Sequence, residues 1–335
     1  MQTGILLVNL GTPDSPKVSD VRKYLREFLS DPRVIDISAI GRWFLVNFII
    51  APFRSPRSAK LYEKIWNENG SPLMYYSLRQ KELLQNKLGK DYQVELAMRY
   101  QSPSLETALE KFSKPVYKKI IVLPLFPQYA SASTGSVQEK IMKIVSKWEI
   151  VPEIKFINSF CDDENFISAF ASIGNKMNPA EHDHILFSFH GLPERQMRKA
   201  DAFNLCLNDG CCNTLSEKNA FCYRAQCYQT ARLLADKLSL SAANYTVCFQ
   251  SRLGKDPWIK PYSDLVIKDL AKAGKKKLLI FAPAFVSDCL ETIYEIGTEY
   301  DELFREHGGE RVTLVPSLND TPEWIETMKA LLLKQ

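Results

Sequence analysis

Short apolar runs rich in aliphatic and β-branched residues recur along the chain, and turn residues bound each of them. A run of this kind predicts a buried β-strand. Most segments between the runs carry helical patterns, and buried strands that alternate with helices are typical of parallel sheets covered on both faces. We therefore predict a doubly wound α/β architecture. The predicted strands are Gly4–Leu10, Val94–Tyr100, Ile120–Phe126, Ile154–Phe160, His184–His190, Tyr245–Ser251, Lys277–Phe285 and Arg311–Pro316.

Three strand segments of the first half of the chain resemble three of the second half. Such repetition predicts two similar Rossmann-like domains, each with a parallel sheet flanked by helices, although chance similarity among aliphatic strands is the alternative. We place the domains at residues 1–150 and 151–335 and expect the final helix to be able to pack back on the first domain. A ligand cleft is expected between them, at the carboxyl ends of the strands. The matched segments are ILLVNLGTP (5–13) with ILFSFHGLP (185–193), KKIIVLPLF (118–126) with KKLLIFAPAF (276–285), and MRYQS (98–102) with CFQSR (248–252).

Composition and charge narrow the class of protein. The 335 residues include 43 Lys and Arg against 39 Asp and Glu, a net charge of +4 that is too small to indicate a nucleic-acid partner. The N-terminal segment lacks the pattern of a secretory signal, and the apolar stretch 43–51 is about half of the ~20 residues that span a bilayer. We therefore expect a cytoplasmic protein with no transmembrane helix, whose eight cysteines are free thiols or metal ligands.

A histidine and a group of carboxylates are the first candidates for chemistry. His190 ends a predicted strand, where an imidazole is placed to take a proton or bind a metal; a packed or surface histidine is the alternative. Asp288, Glu291 and Glu295 follow another strand at a spacing that gathers them on one face of a helix. This face is either a solvated helix start or a path for protons and divalent cations. Together these residues suggest metal handling coupled to proton removal.

Polar side chains follow two further strands. Arg99 and Tyr100 end one of them, and a guanidinium at that position suits a carboxylate such as a propionate. Tyr129 and Ser131 follow the other, in a loop that offers hydroxyl groups to a polar ligand; turn or capping roles are the alternative.

An apolar segment covers residues 41–53 and leads into the basic stretch FRSPRSAK. It is either an ordinary buried helix or a hydrophobic lip that holds a flat apolar ligand and touches a membrane surface.

Five of the eight cysteines fall within 22 residues, in a loop rich in Gly, Asn and Asp. This density favours metal ligation, by a [2Fe–2S] cluster or by a structural zinc ion, and the spacing does not decide between them. Our preferred ligand set takes only one of the two adjacent cysteines, because neighbouring residues seldom both reach one small cluster. The candidates are Cys206, Cys211, Cys212, Cys222 and Cys227, with either Cys211 or Cys212 left out.

Eight ordered segments resemble the ferrochelatase family over essentially the whole chain. They are LLVNLGTP, VRKYLREFLSDPRVI, SPL at 71–73, MRY at 98–100, LPLFPQY, SFHGLP, QSRLGKDPW and FVSDCLETIYEI. The resemblance implies insertion of Fe²⁺ into protoporphyrin IX to give protohaem, the last step of haem biosynthesis, with release of two protons.

The resemblance also implies roles for individual residues. His190 and Glu291 match the catalytic histidine and its facing acid, and Asp288 and Glu295 match neighbours on the metal or proton path. Arg99, Tyr100 and Trp258 match positions of the porphyrin pocket, with Tyr129 and Ser131 as further contacts, and residues 41–53 resemble the lip. Some family members carry an internal [2Fe–2S] cluster, which we expect here in the cysteine-rich insert.

Three other functions are considered. The nearest is insertion of iron into coproporphyrin III, or of another metal into another tetrapyrrole. A non-catalytic porphyrin- or haem-binding redox sensor is opposed by the acids expected to face His190. A dinucleotide enzyme is opposed by the sequence after the first strand, because NLGTPDSP has one glycine where G-x-G-x-x-G has three.

Overall fold

The computed structural model describes residues 2–114, 116–208, 210–252, 254 and 256–335. The chain divides into two compact units. Unit 1 comprises Met1–Phe126, Ala130–Asn158 and Asn319–Gln335, and unit 2 comprises Pro127–Tyr129 and Ser159–Leu318. Two positions of the QSRLGKDPW motif, Leu253 and Lys255, lie outside the described residues, as does Asp209 of the cysteine-rich segment.

Each unit is built on a parallel sheet with helical connections. The strands are β1 (Gln2–Asn9), β2 (Tyr92–Met98), β3 (Tyr117–Pro124), β4 (Glu153–Phe156), β5 (His184–His190), β6 (Tyr245–Gln250), β7 (Lys277–Phe281) and β8 (Arg311–Leu314). The α-helices are α1 (Val18–Ser30), α2 (Ala39–Phe44), α3 (Ala51–Ile65), α4 (Pro72–Leu88), α5 (Leu105–Glu110), α6 (Ser136–Val145), α7 (Glu164–Asn175), α8 (Glu194–Lys199), α9 (Tyr223–Lys237), α10 (Ser263–Lys272), α11 (Asp301–Glu306) and α12 (Pro322–Leu333). Three π-helical segments cover Leu45–Ile50, Ser131–Gly135 and Glu291–Tyr300, and short 3₁₀ turns cover Pro179–Glu181 and Glu217–Asn219.

Unit 1 holds a four-stranded sheet of order β2-β1-β3-β4, parallel throughout. The central strand β1 is fully buried from Ile5 to Val8, because helices cover both faces of the sheet. The amphipathic helix α1 buries Val21, Tyr24, Leu25 and Leu29 and leaves its other side polar. The C-terminal helix α12 belongs to this unit, where its residues contact α4.

Unit 2 repeats the arrangement with the strand order β6-β5-β7-β8, again all parallel. Its core combines the inner strands β5 and β7 with α10 and α11, and Phe304 is among its fully buried residues. The three pairs of similar sequence segments therefore occupy equivalent strands, β1 with β5, β2 with β6 and β3 with β7.

The doubly wound α/β prediction is confirmed, and all eight predicted strands are present. Several end earlier than predicted. The clearest is β7, which ends at Phe281 rather than Phe285, because the chain turns at Pro283. Within the described residues, no helix is long and apolar enough to cross a membrane.

Candidate active site

His190 is the last residue of β5, and two hydrogen bonds fix its position. The Tyr223 hydroxyl donates to the His190 carbonyl at 2.8 Å. The ring Nδ1 lies 2.7 Å from the Gly191 carbonyl oxygen. Because a carbonyl only accepts, Nδ1 carries the hydrogen, and in the neutral ring Nε2 keeps its lone pair. The site thus presents an imidazole nitrogen that is able to accept a proton or bind a metal.

Gly191, which follows His190, allows the ends of β5 and β6 to approach each other closely. A Cβ at this position would lie 2.7 Å from the Gln250 carbonyl oxygen and 3.2 Å from Trp258 Cε3. The Gly191 amide donates to the same carbonyl at 2.8 Å, which ties the end of β5 to the end of β6. Trp258 therefore packs against the backbone next to His190, within the unit that carries the histidine.

The acids at Glu291 and Glu295 lie on the π-helical segment that follows β7. Glu295 is held by donors from three residues: the Ser251 amide at 2.9 Å, the Ser251 hydroxyl at 2.5 Å, Gln250 Nε2 at 3.1 Å and the Tyr300 hydroxyl at 3.1 Å. Burial raises the pKa of Tyr300, and the Glu295 carboxylate raises it further, so this hydroxyl remains a donor.

Gln250 connects the histidine strand to the acidic segment. It stands opposite His190 in the β5–β6 ladder. Its buried side chain donates to the Glu291 carbonyl at 3.2 Å as well as to Glu295, and accepts from the Ser188 hydroxyl at 2.8 Å. Since every one of these contacts lies in unit 2, the structure brings His190, Glu291 and Glu295 to the same end of one sheet.

Asp288 differs from the predicted arrangement. It precedes the π-helical segment instead of sharing a helix with the two glutamates. Its buried carboxylate accepts from the Thr292 hydroxyl at 3.0 Å and the Ser317 amide at 3.2 Å. Next to it, the fully buried Cys289 thiol contacts the Glu291 carboxylate, and burial followed by this charge raises the pKa of Cys289.

Arg99 and Tyr100 follow β2 in unit 1 and share a buried acid. Arg99 donates to the Asp31 carboxylate at 2.6 Å, and the Tyr100 hydroxyl donates to the same oxygen at 2.9 Å. The Ser136 hydroxyl also donates to it and accepts from Arg99 Nε at 2.7 Å. Burial, and then the Asp31 charge, raise the pKa of Tyr100. The guanidinium expected to face a ligand carboxylate thus has a partner within the protein.

Tyr129 and Ser131 are held by local contacts in their own units. The Tyr129 amide donates to the Gln226 side chain at 2.6 Å, and its ring packs edge-on against Phe221 in unit 2. In unit 1, the Ser131 hydroxyl accepts from Arg33 at 2.8 Å. Both side chains are partly exposed.

Residues 41–53 form the exposed apolar segment of unit 1, spanning the end of α2, a π-helical stretch and the start of α3. Ile40, just ahead of it, is 84% exposed and Phe53 is 79% exposed. Phe48 packs against both Trp43 and Phe44, so the rings form one cluster. Of the two interpretations of this sequence, the exposure favours a lip over a buried helix.

Four of the five clustered cysteines lie together in unit 2. The Sγ atoms of Cys211 and Cys212 are 3.6 Å apart, and the Cys222 thiol hydrogen-bonds the thiols of Cys206 and Cys212. These bonds, together with backbone N–H groups at the start of α9, hold the pKa of Cys222 well below its usual range. The fifth, Cys227, is fully buried on α9, where burial raises its pKa and its thiol bonds Tyr223.

Arg224 adds a positive charge beside these thiols, with its guanidinium 3.0 Å from Cys212 Sγ. Among the described residues, no three His, Cys, Asp or Glu side chains have the spacing that would hold a single metal ion.

Several residues of the site have no role predicted from the sequence. Gln250 and Ser251 begin the segment QSRLGKDPW, Asp31 lies in VRKYLREFLSDPRVI, and Tyr223 lies in the cysteine-rich segment. Asp31 is 68 residues from Arg99. The sequence signals for Gln250 and Ser251 are this segment and the resemblance of CFQSR to MRYQS, which marks both of the latter as strand ends.

Solved structures that include a sirohydrochlorin chelatase share this fold. The chain is similar to the structure of SirB from Bacillus subtilis with Fe³⁺, with a TM-score of 0.55 and 14% identity over 100% of this chain and 95% of that one. The sirohydrochlorin chelatase SirB from B. subtilis subspecies spizizenii in complex with cobalt gives a TM-score of 0.52 at 12% identity, with the same coverage. At such identities the likeness concerns the fold alone.

The family follows from the sequence comparisons. The ferrochelatase family model matches residues 2–335. A ferrochelatase of Legionella pneumophila (strain Lens) is 47% identical over 337 residues, covering 100% of both chains. One of Coxiella burnetii (strain Dugway 5J108-111) is 45% identical over 333 residues, covering 99% of this chain and 93% of the relative. This chain belongs to the ferrochelatase family, enzymes that insert ferrous iron into a porphyrin.

Proposed function

We propose that this protein inserts Fe²⁺ into protoporphyrin IX, with His190 Nε2 as the acceptor of a pyrrole proton. The observation that carries the proposal is the hydrogen bond from His190 Nδ1 to the Gly191 carbonyl, because in the neutral ring it leaves the lone pair on Nε2. Metallation releases two protons, and a neutral imidazole is a suitable base near neutral pH.

Glu291 and Glu295 supply the carboxylates of the proposed metal and proton path. The donors around Glu295 fix the position of its carboxylate, and Gln250 links that carboxylate to the strand next to that of His190. Hard carboxylate oxygens suit the passage of a hydrated divalent cation. Asp288, held by Thr292 and Ser317, would fix the loop that leads into this segment, and Trp258 would shape the porphyrin site beside Gly191.

Porphyrin contacts are proposed for Arg99, Tyr100 and Ser131 in unit 1, and separately for Tyr129 in unit 2. Because Arg99 and Tyr100 are bound to Asp31, their role would be to hold the loop that follows β2. Direct pairing with a propionate would require Arg99 to use the N–H groups left over from Asp31 and Ser136.

An anaerobic metallation assay with protoporphyrin IX and Fe²⁺ tests the catalytic proposal. His190→Ala should lower kcat/KM by about 10²- to 10⁴-fold, the usual effect of losing a general base. His182→Ala is the matched control, because its Nδ1 also bonds a backbone carbonyl, that of Asn178, and it should retain activity within twofold. Folded His190→Ala with kcat/KM within tenfold of the wild type would refute the role of His190. Faster turnover of coproporphyrin III than of protoporphyrin IX would refute the choice of substrate.

We further propose that Cys206, Cys211, Cys212 and Cys222 hold a [2Fe–2S] cluster. The donor set fits, because four thiols converge and the Arg224 guanidinium compensates negative charge on the sulfur atoms. A cluster of two irons distributes its four thiolates over two metal ions, so it does not need three of them around one ion. When bound, the cluster would supply structural or redox chemistry apart from His190.

Two cysteine variants and the visible spectrum test the ligand set. Cys222→Ser should abolish the iron–sulfur absorbance and acid-labile sulfide of anaerobically purified protein. Cys227→Ser, a change at a fully buried thiol outside the proposed set, should retain both. Loss of the chromophore in Cys227→Ser but not in Cys211→Ser would overturn the set. A colourless wild type with stoichiometric zinc would overturn the cluster itself.

The exposed aromatic cluster at residues 41–53 supports contact with the cytoplasmic face of a membrane. Exposed aromatic side chains next to basic residues suit the interface of an anionic bilayer. Phe44→Ser with Phe48→Ser should reduce sedimentation with phosphatidylglycerol vesicles. The matched control is Ile150→Ser with Val151→Ser, which removes comparably exposed apolar side chains elsewhere in unit 1. Equal loss in both variants would contradict the proposal.

A further inference from the structure

Unit 1 contains a cavity of about 840 Å³ between helices α1 and α6, and Arg99 is the one described residue of its lining that is also proposed for porphyrin binding. Its lining is strongly basic, with six cationic side chains against three carboxylates. The cations are Arg22, Lys23, Arg26, Arg99, Lys140 and Lys143, and the acids are Glu27, Asp31 and Glu139. The lining residues therefore have a formal excess of three positive charges, although Lys23 pairs with Asp14 and Lys140 with Glu106 outside the lining.

The carboxylates of the cavity already have partners. Asp31 binds Arg99, Glu139 binds Arg33 and Lys143, and Glu27 accepts from the amide and side chain of Gln101. Asp31 and Glu139 thus have cationic partners, whereas Glu27 lies on α1 and keeps its charge, because Gln101 is neutral. Among the described lining residues, the cationic charges without an acidic partner lie on α1.

Arg22 and Arg26 carry this charge. They are one helical turn apart on α1, so their side chains share a face. In the described part of the chain neither has an ion-pair partner, and the buried Arg22 Nε has no hydrogen-bond partner. A buried guanidinium N–H without an acceptor is costly, and a bound anion would satisfy it.

The size and lining of the cavity indicate the class of ligand. A volume of about 840 Å³ lies in the range of small-molecule sites and exceeds what one inorganic phosphate fills. Pro32 is the one apolar residue among the described lining residues, so none of them offers an aromatic ring on which a flat macrocycle could stack. Guanidinium groups instead match the geometry of phosphate oxygens, and lysines add point charges.

We propose that this cavity binds a soluble ligand with two or more linked phosphoryl groups, and that Arg22 and Arg26 are its principal contacts. The ligand is distinct from both substrates of the metallation reaction. Phosphoryl groups reach a protein from solution or from lipid headgroups, and the scarcity of apolar side chains among the described lining residues favours the soluble source.

Calorimetric titration of the full-length protein with tripolyphosphate, without porphyrin or iron, tests the proposal. Wild type should bind at about 50 mM salt, and binding should weaken as salt is raised. Arg22→Gln with Arg26→Gln should weaken binding at least tenfold. The matched control, Lys272→Gln with Arg311→Gln, removes the same charge from exposed positions of unit 2 and should change the affinity less than twofold.

Two results would overturn the proposal. One is absence of tripolyphosphate binding by wild type, or equal weakening in the control. The other is binding to phosphatidylglycerol vesicles alone. If the Arg22 and Arg26 variant loses this vesicle binding and tripolyphosphate does not compete with it, the cavity binds a lipid headgroup. Circular dichroism and thermal unfolding of each variant separate loss of the site from loss of the fold. Since iron and porphyrin are absent, failure here is independent of the metallation assay.

Discussion

Replacing Asp31 with Asn should strongly destabilise unit 1. The Asp31 carboxylate is 4% exposed and its partner Arg99 is 14% exposed, so neither charge is well solvated. Two unit charges about 4 Å apart attract by about 4 kcal/mol at an effective dielectric constant of about 20. Removing one partner of a buried pair costs about 3–5 kcal/mol, because the other charge stays buried. Since Asn keeps one acceptor oxygen for Tyr100 or Ser136, we expect about 3 kcal/mol for Asp31→Asn.

Thermal unfolding followed by tryptophan fluorescence measures this loss. Four of the five tryptophans, Trp43, Trp66, Trp148 and Trp324, lie in unit 1, so the signal reports mainly on that unit. For a unit of this size, 3 kcal/mol corresponds to a decrease in Tm of about 6–12 °C.

Asp14→Asn is the matched control for this change. Asp14 pairs with Lys23 at 3.2 Å, but both side chains are largely exposed, and such pairs contribute less than about 1 kcal/mol. Tyr100→Phe should fall between the two variants, because it removes one hydrogen bond of about 1 kcal/mol from the same acid. A Tm for Asp31→Asn within 2 °C of that for Asp14→Asn would refute the reasoning about burial.

Two further predictions concern pH and packing. Burial of Glu95 favours its neutral form, but hydrogen bonds from Lys81 at 2.8 Å and Lys111 at 2.9 Å prevail and lower the pKa of Glu95. This carboxylate therefore stabilises the fold above about pH 4.3 and loses its contribution as pH falls through its lower folded pKa, so Glu95→Gln should flatten the acid limb of a Tm–pH curve. Gly174→Ala should cost about 1–3 kcal/mol, measured by thermal unfolding, because the new Cβ would lie 2.4 Å from Phe281 Cζ in the core.

Each of these predictions has a control in the same fold. Glu82→Gln removes an exposed carboxylate of unit 1 and should leave the acid limb unchanged. Gly297→Ala adds a Cβ with no neighbour nearer than 3.7 Å, so its stability should be unchanged or slightly higher. Parallel acid limbs for wild type and Glu95→Gln, or equal Tm values for the two alanine variants, would contradict the respective argument.

The fold could be predicted because each buried parallel strand has a continuous apolar run in the sequence. All eight predicted strands are present in the structure. Strand ends are less certain, since the last residues of a run serve equally well in a loop. The predicted acidic face of Asp288, Glu291 and Glu295 shows the same uncertainty about where an element begins. Helical periodicity predicts three acids on one stripe, but it does not show where a helix begins or which carbonyl each amide bonds. Asp288 therefore precedes the segment, and Glu291 begins a π-helical stretch.

The proposed cysteine ligands lie in a loop that has no periodic pattern. The rule that adjacent cysteines seldom bind the same small cluster predicts that one of Cys211 and Cys212 is not a ligand. Their sulfur atoms nevertheless lie 3.6 Å apart, and Cys212 is hydrogen-bonded to Cys222. Left-handed backbone at Asn204 and Leu207 turns the loop so that these thiols converge. Asparagine adopts this conformation more readily than most residues, but leucine rarely does, so the residue type marks Asn204 and not Leu207 as a turn position.

The two units use the same backbone frame at the strand ends but only one of them carries a histidine there. A Cβ on Gly11 would lie 2.1 Å from the Tyr100 carbonyl oxygen, as one on Gly191 would lie 2.7 Å from that of Gln250. These positions correspond in the matched segments, and each glycine lets the ends of neighbouring strands approach closely.

The residues that follow Tyr100 and Gln250 also correspond between the two units. Gln101 and Ser251 both have left-handed backbone, with φ of 69° and 64°, and each amide donates to a glutamate carboxylate, Glu27 at 3.0 Å and Glu295 at 2.9 Å. In both units this backbone arrangement therefore has a structural role: it joins the ends of two parallel strands and lets a backbone amide bind a carboxylate. Leu10 occupies the position in unit 1 that His190 occupies in unit 2. The two units thus share the backbone arrangement, and at this position only the side chain of His190 in unit 2 can accept a proton.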